Sequence, residues 1–98
     1  MANAPKKLSA ASVKKKLAAL KGWRRQGKAI VKEFVLGGFT GATQFISKIA
    51  PIANRMDHHP DVKLHRYKRV KIILSTHSAG GITQNDFDLA KKIDALRS

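Results

Sequence analysis

The chain contains no cysteine, which excludes a disulfide scaffold, a thiolate metal site and a thiol nucleophile. No apolar run approaches the roughly 18–20 residues of a membrane-spanning helix. No signal-peptide core precedes a cleavage site. A soluble, cytoplasmic protein without a membrane partner is therefore expected, with nuclear or organellar placement left open. Acidic residues are also scarce, 6 against 20 Lys and Arg, and none occurs before Glu33, whereas ten basic residues do. Such an imbalance excludes no fold. It has three readings: a solvated cationic surface, an organellar transit peptide, or a surface for nucleic acid or another anion. The solvated surface is favoured, and net charge supports a nucleic-acid partner only weakly.

What is present suffices for one domain. Ninety-eight residues with 43% hydrophobic and 27% charged side chains suit a single folded unit spanning residues 1–98, with residues 1–8 as a loose basic tail. Ser9 is placed to cap a helix over Ala10–Leu20, with Val13, Leu17 and Leu20 on its apolar side and Lys14–Lys16 outside. Gly22 follows. Two short strands, Trp23–Gln26 and Lys28–Leu36, meet around Gly27. The largely apolar second strand predicts a central position covered on both faces. After Gly37-Gly38, helical spacing of Phe39, Ala42, Phe45, Ile46, Ile49, Ala53 and Met56 predicts a helix over Phe39–Met56, kinked near Ser47 by Pro51.

Val70, Ile72 and Leu74 alternate as a half-buried strand, and Val62 and Leu64 do the same. Tyr67 falls out of phase with them. A β-bulge near His65-Arg66 with a tight turn at Lys68-Arg69 restores one apolar face, pairing Tyr67 with Val70 and His59 with His77. Without the bulge, His77 pairs with Pro60. After Gly80-Gly81, Thr83 and Asp86 form a capping box, Ile82 can staple onto Phe87, and Phe87, Ala90, Ile93 and Leu96 form the buried stripe of a last helix. The fold class is α+β: a four-stranded antiparallel sheet with three helices packed on one face, in the order α-β-β-α-β-β-α.

Three of the four histidines, His58, His59 and His77, fall at the far end of that second hairpin. Imidazole both donates and accepts protons near neutral pH, so a cluster points to general acid–base work on a small molecule. A zinc site is the rival, but adjacent His58 and His59 face opposite ways if extended, and no helical HxxxH pair exists. His65 reads as a surface strand residue. No phosphate-cradling glycine loop is present, and a Ser nucleophile beside His77 would lack a placed triad acid.

Asp57-His58-His59-Pro60, Tyr67, Ser75-Thr76-His77, Gly81 and Asp86 closely resemble the pterin-4a-carbinolamine dehydratases. The similarity runs from about Val13 to Leu96 and includes Gly22-Trp23, Glu33-Phe34 and Asp86-Phe87-Asp88-Leu89-Ala90. The resemblance implies a hydro-lyase that dehydrates 4a-hydroxytetrahydrobiopterin to quinonoid dihydrobiopterin, recycling the pterin cofactor of aromatic amino acid hydroxylases. It implies no cofactor and no metal. The family's catalytic histidines carry over onto His58, His59 and His77, with His58 and His77 as the acid–base pair and His59 orienting substrate. Asp57, Pro60, Ser75, Thr76 and Ser78 match positions lining the pterin pocket, and Asn54 and Asp86 are supporting candidates. A homodimer or homotetramer is also implied.

The chain departs from the family in places. Asn54 stands where members often carry Glu, there is one more residue between Pro60 and Tyr67, and Pro51 and the high basic charge are atypical. The alternative function is a basic module binding nucleic acid or a protein partner, including the transcription-factor dimerisation role of some members.

Overall fold

In the computed structural model, which describes residues 5–97, the chain runs α1 (Ala10–Leu17), β1 (Arg24–Gln26), β2 (Ala29–Val35), α2 (Phe39–Met56), β3 (Asp61–His65), β4 (Arg69–Leu74) and α3 (Gln84–Ala95). A short 3₁₀ turn, His77–Ala79, precedes α3. The four strands form one antiparallel sheet in the order β1-β2-β4-β3. The element order and fold class are those expected from the sequence.

Alternation along the strands decides which face is covered. Ile30 and Phe34 of β2 pair with Leu74 and Val70 of β4. These side chains join Val13 of α1, Phe45 and Ile49 of α2, and Phe87 and Ile93 of α3 in one buried cluster. Full burial of each such side chain contributes about 1.5–3 kcal/mol. On the opposite face of β2, Val31 is buried, but Glu33 is exposed and Val35 is 48% exposed. β2 is central, but only one of its faces is covered by helices, so its apolar run overstated the coverage. Phe39, placed in the buried stripe of α2 by its spacing, is 57% exposed, because it stands at the first turn beyond the edge of the packed face.

Ser9 caps α1 by accepting from the Ser12 N–H at 3.1 Å. The helix ends at Leu17, three residues early: Ala19 and Leu20 bond instead to Lys16 and Leu17, the i→i+3 pattern of a tightened last turn. α2 continues unbroken through Pro51. The donor lost at proline is tolerated because Ala42, Phe45, Ile49 and Ala53 are buried on both sides of it.

The β3–β4 hairpin contains no bulge. Its register pairs Leu64 with Val70, Val62 with Ile72 and Asp61 with Ile73, and the last pair is His65 with Arg69. Arg66, Tyr67 and Lys68 form the turn, with φ of 49° and 54° at Arg66 and Tyr67, and Tyr67 is 59% exposed. The phase conflict is thus resolved by putting Tyr67 into the turn, outside the ladder. Consequently neither His59 nor Pro60 opposes His77, which lies past the end of β4 in the 3₁₀ turn. Of the tail expected over residues 1–8, residues 1–4 lie outside the described residues. Its inner end is held: the Leu8 N–H donates to the Ile82 carbonyl at 2.8 Å, and the Lys7 stem lies over Gly81.

Candidate active site

Three chain segments build the site, and a local backbone device fixes each. The first is the end of α2. Asp57 adopts a left-handed conformation, φ 51°, which Asp tolerates better than most residues. Its N–H bonds to the Asn54 carbonyl at 3.2 Å and the His58 N–H reaches back to Ala53 at 3.1 Å, the paired bonds of a Schellman cap. His58 is therefore fixed directly against the helix end, and Pro60 leads the chain into β3.

The second segment follows β4. Leu74 points into the core, Ser75 away and Thr76 back in, as strand alternation requires. Ser75 Oγ donates to the Lys28 carbonyl at 2.6 Å, so its hydroxyl is committed to the first hairpin. Thr76 pairs with Gly81 through N–H to O contacts of 2.9 and 3.3 Å, closing a loop that displays His77 and Ser78 to solvent. The third segment is the start of α3. Thr83 is its N-cap, and the Thr83 N–H donates to Asp86 Oδ2 at 2.9 Å, completing a capping box.

Asp86 joins all three. It is fully buried, and its Oδ1 lies 2.6 Å from His58 Nε2 while Oδ2 accepts from Thr76 Oγ1 at 3.0 Å. Thr76 and Thr83 hydroxyls are 2.8 Å apart. Each hydroxyl has one proton, so the directions follow: Thr83 donates to Thr76, and Thr76 donates to Asp86. Thr83 Oγ1 in turn accepts from the Asn85 N–H at 3.2 Å. A carboxylate only accepts, so His58 carries a proton on Nε2 and presents Nδ1 as its exchangeable nitrogen. The side chain of His58 is 10% exposed. No buried polar side-chain atom is left without a partner among the described residues.

The other two histidines are freer. His59 is exposed and donates from Nε2 to Asn54 Oδ1 at 3.0 Å, so a neutral amide orients it where relatives of the resembled family often have a carboxylate. His77 is exposed and makes no side-chain hydrogen bond among the described residues. Asp57 is exposed and Pro60 half-buried. The fourth histidine lies elsewhere: His65 Nε2 is 2.7 Å from Glu33 Oε1, and Arg69 reaches Glu33 Oε2 at 3.1 Å. The His65 hydrogen bond, with help from Arg69, holds the Glu33 carboxyl below the usual carboxylate range.

Among the described residues, no three His, Cys, Asp or Glu side chains are grouped as a metal ion requires. Grooves of about 310 and 360 Å³ lie beside Met56 and Lys92 and beside α1, and neither is lined by a histidine. The histidines instead occupy an open surface, backed by one buried carboxylate.

The chain as a whole has counterparts in known proteins. The family profile for pterin 4 alpha carbinolamine dehydratase matches residues 6–96. The chain belongs to this family. A relative from Sulfurisphaera tokodaii, whose name assigns it to the pterin-4-alpha-carbinolamine dehydratases, is 46% identical over 93% of this chain and 97% of its own. One from Roseiflexus sp. is 44% identical over 92% and 96%. A solved structure from Brucella melitensis, described as a transcriptional coactivator/pterin dehydratase, superposes with a TM-score of 0.88 at 33% identity, covering 94% of this chain and 99% of that one. A pterin dehydratase-like protein described as a RuBisCO assembly factor in the alpha-carboxysome gives 0.64 at 25% identity, over 79% and 90%. Dehydratase-family architecture therefore also carries a role of another kind in that protein.

The sequence signals for the site were uneven. Thr83 was visible only as a helix cap, and its place in the hydroxyl chain behind Asp86 was missed. A clue existed: a capping-box Asp uses one oxygen on the backbone and leaves the other for a partner. Thr76 could be placed inward from the phase of Leu74. That Ser75 turns away follows from the same phase.

Proposed function

We propose that this family member dehydrates 4a-hydroxytetrahydrobiopterin to quinonoid dihydrobiopterin by histidine general acid–base catalysis, in tetrahydrobiopterin recycling. The reaction breaks the C4a–O bond, the hydroxyl leaves with the electron pair and is protonated to water, and a ring nitrogen loses its proton as the new double bond forms. One group must donate and another accept. His58 is the base: it takes the ring proton on Nδ1 while Asp86, 2.6 Å from Nε2, stabilises the imidazolium that results. His77, exposed and uncommitted, donates to the departing hydroxyl. His59, oriented by Asn54, positions the pterin with Asp57, Pro60, Thr76 and Ser78. Ser75 contributes through its backbone, since its hydroxyl is held by Lys28.

The His58–Asp86 pair carries this reading. It supplies an oriented imidazole with a buried counter-charge: Asp86 Oδ2 serves the capping box of α3, and Oδ1 is turned to His58. The homo-oligomer that family resemblance suggests is a separate proposal, and the acid–base pair is assigned within one chain. No metal or cofactor takes part in the proposed steps.

Stopped-flow dehydration of the carbinolamine tests the assignment. His58→Ala and His77→Ala should each lower the rate by roughly 10²-fold or more, and His59→Ala should act mainly on KM. A wild-type rate equal to the uncatalysed reaction would refute it.

A further inference from the structure

The acid-free N-terminal third has no part in the proposed chemistry, yet the fold gives it a definite shape. Val13 is the buried anchor of α1. At 100° per residue, Lys14 and Lys16 fall on the two flanks of that anchor and Lys15 points away from the core. Both flanks meet another cation. Lys14 and Arg25 of the edge strand β1 line the same 360 Å³ groove, and Lys16 shares a smaller cleft with Lys91 of α3. A belt of five cations, Arg25, Lys14, Lys15, Lys16 and Lys91, thus crosses the outer surface of α1.

Among the described residues, no acid forms an ion pair with it. Only Lys32 and Arg69 of the chain's Lys and Arg residues form ion pairs among the described residues. On the neighbouring helix, Asp94 is paired with Lys32 and Trp23, while Asp88 keeps its charge but is turned to Gln84 and does not line the Lys16–Lys91 cleft. Among the described residues, the large exposed hydrophobics, Val35, Phe39, Val62 and Tyr67, all lie outside this third, so the belt lacks the exposed apolar anchors of a membrane-surface helix. An α-helix about 10–12 Å across with cations on both flanks matches a major groove about 12 Å wide, walled by two rows of phosphates.

We propose that this belt binds the phosphate backbone of duplex DNA without reading its bases, with α1 lying in the major groove. The binding is independent of the histidine site. Five phosphate contacts give a log–log salt slope of about −4.5, so affinity falls on the order of 10²–10³-fold between 50 and 200 mM salt.

The test is fluorescence anisotropy of a labelled mixed-sequence 20-base-pair duplex titrated with the full chain. Lys14→Gln/Lys15→Gln/Lys16→Gln should weaken binding at 50 mM salt by at least tenfold and flatten the slope to about −2. Glutamine keeps helix propensity, and circular dichroism checks that the fold is retained. A control, Lys48→Gln/Lys63→Gln/Lys68→Gln, makes the same change in net charge away from the belt and should weaken binding less than threefold. Three results would each overturn the proposal: no complex at 50 mM salt, equal loss in both triple variants, or tighter binding to phosphatidylglycerol vesicles than to the duplex.

Discussion

Helix α3 carries an aspartate at each end, and the two do different work. Asp86, in its first turn, is fully buried and gathers His58, Thr76 and the backbone of Thr83. Asp94, in its last turn, accepts from Trp23 Nε1 at 3.0 Å and from Lys32 Nζ at 2.9 Å. Lys32 also donates to the Lys21 carbonyl at 3.1 Å and sits 4.8 Å from the Phe34 ring centroid. The Asp94 cluster ties the loop after α1, β2 and α3 together through donors with no free end. The Asp86 cluster ends on an imidazole whose second nitrogen is uncommitted. On the proposed reading, the first carboxylate serves the chemistry because its imidazole partner keeps a second nitrogen free to accept a proton, whereas the second serves the fold alone.

Breaking each side of that contrast gives effects that run from a large loss of activity to a small change in stability. Asp86→Asn should be the most damaging to activity. An amide facing His58 donates where the carboxylate accepted, forcing the proton from Nε2 to Nδ1 and removing the counter-charge. A fall in kcat of about 10–100-fold or more, with KM less affected, is expected in the dehydration assay, plus a stability loss of about 1–3 kcal/mol. A kcat unchanged from wild type would mean that Asp86 is only a helix cap.

Two glycines sharpen the comparison, because each meets a lysine stem. Gly22 has φ +86°, and a Cβ there would come within 2.9 Å of Lys32 Cε. Gly22→Ala should cost about 1–3 kcal/mol of thermal stability and leave kcat near wild type, since strain and displacement fall on the Asp94 cluster. Gly81 approaches only the flexible Lys7 stem, at 3.1 Å, and has no left-handed φ. Gly81→Ala should therefore cost well under about 1 kcal/mol, as read by denaturant midpoint. Equal costs would show that the lysine contact, and not the backbone, sets the penalty.

Asp94→Asn should lower stability by about 1 kcal/mol, equivalent to roughly 4–8 °C in Tm for a domain of this size, with kcat unchanged. A rate loss there would erase the distinction between the two ends of α3. Glu33→Gln, on the open face of the sheet, should be the mildest. The folded-state pKa of Glu33 is depressed, chiefly by the His65 hydrogen bond, so its contribution is present above the ordinary carboxylate range and is lost as pH falls through the lowered value. The Tm difference between wild type and Glu33→Gln should be under about 4 °C at pH 7 and vanish near pH 2. A difference that grows on acidification would reverse the assigned sign.

Much of the fold was legible because the signals were local. The capping box at Thr83 and Asp86, the span of α2 and the alternation of β4 all depend on residues a few positions apart, and all three appear in the structure. Tyr67 was misplaced because strand phase cannot tell a bulge from a three-residue turn: both absorb the same extra residue. β2 was assigned two covered faces because an apolar run does not say which neighbour lies across the sheet. Phe39 was assigned to the core because helical spacing marks a stripe without marking where the packed face ends.

Sequence by itself determined the element order, the caps, the presence of a histidine cluster and the absence of acid from the first third, since each is written in residue type and short-range spacing. Tertiary structure decided that His58, rather than His59 or His77, receives the buried carboxylate. That contact spans 28 residues and depends on the Asp57 turn, the Thr76–Gly81 bridge and the start of α3 meeting at one place. It also decided that the lysines of α1 face Arg25 and Lys91 across two clefts, because only packing fixes which elements flank a helix.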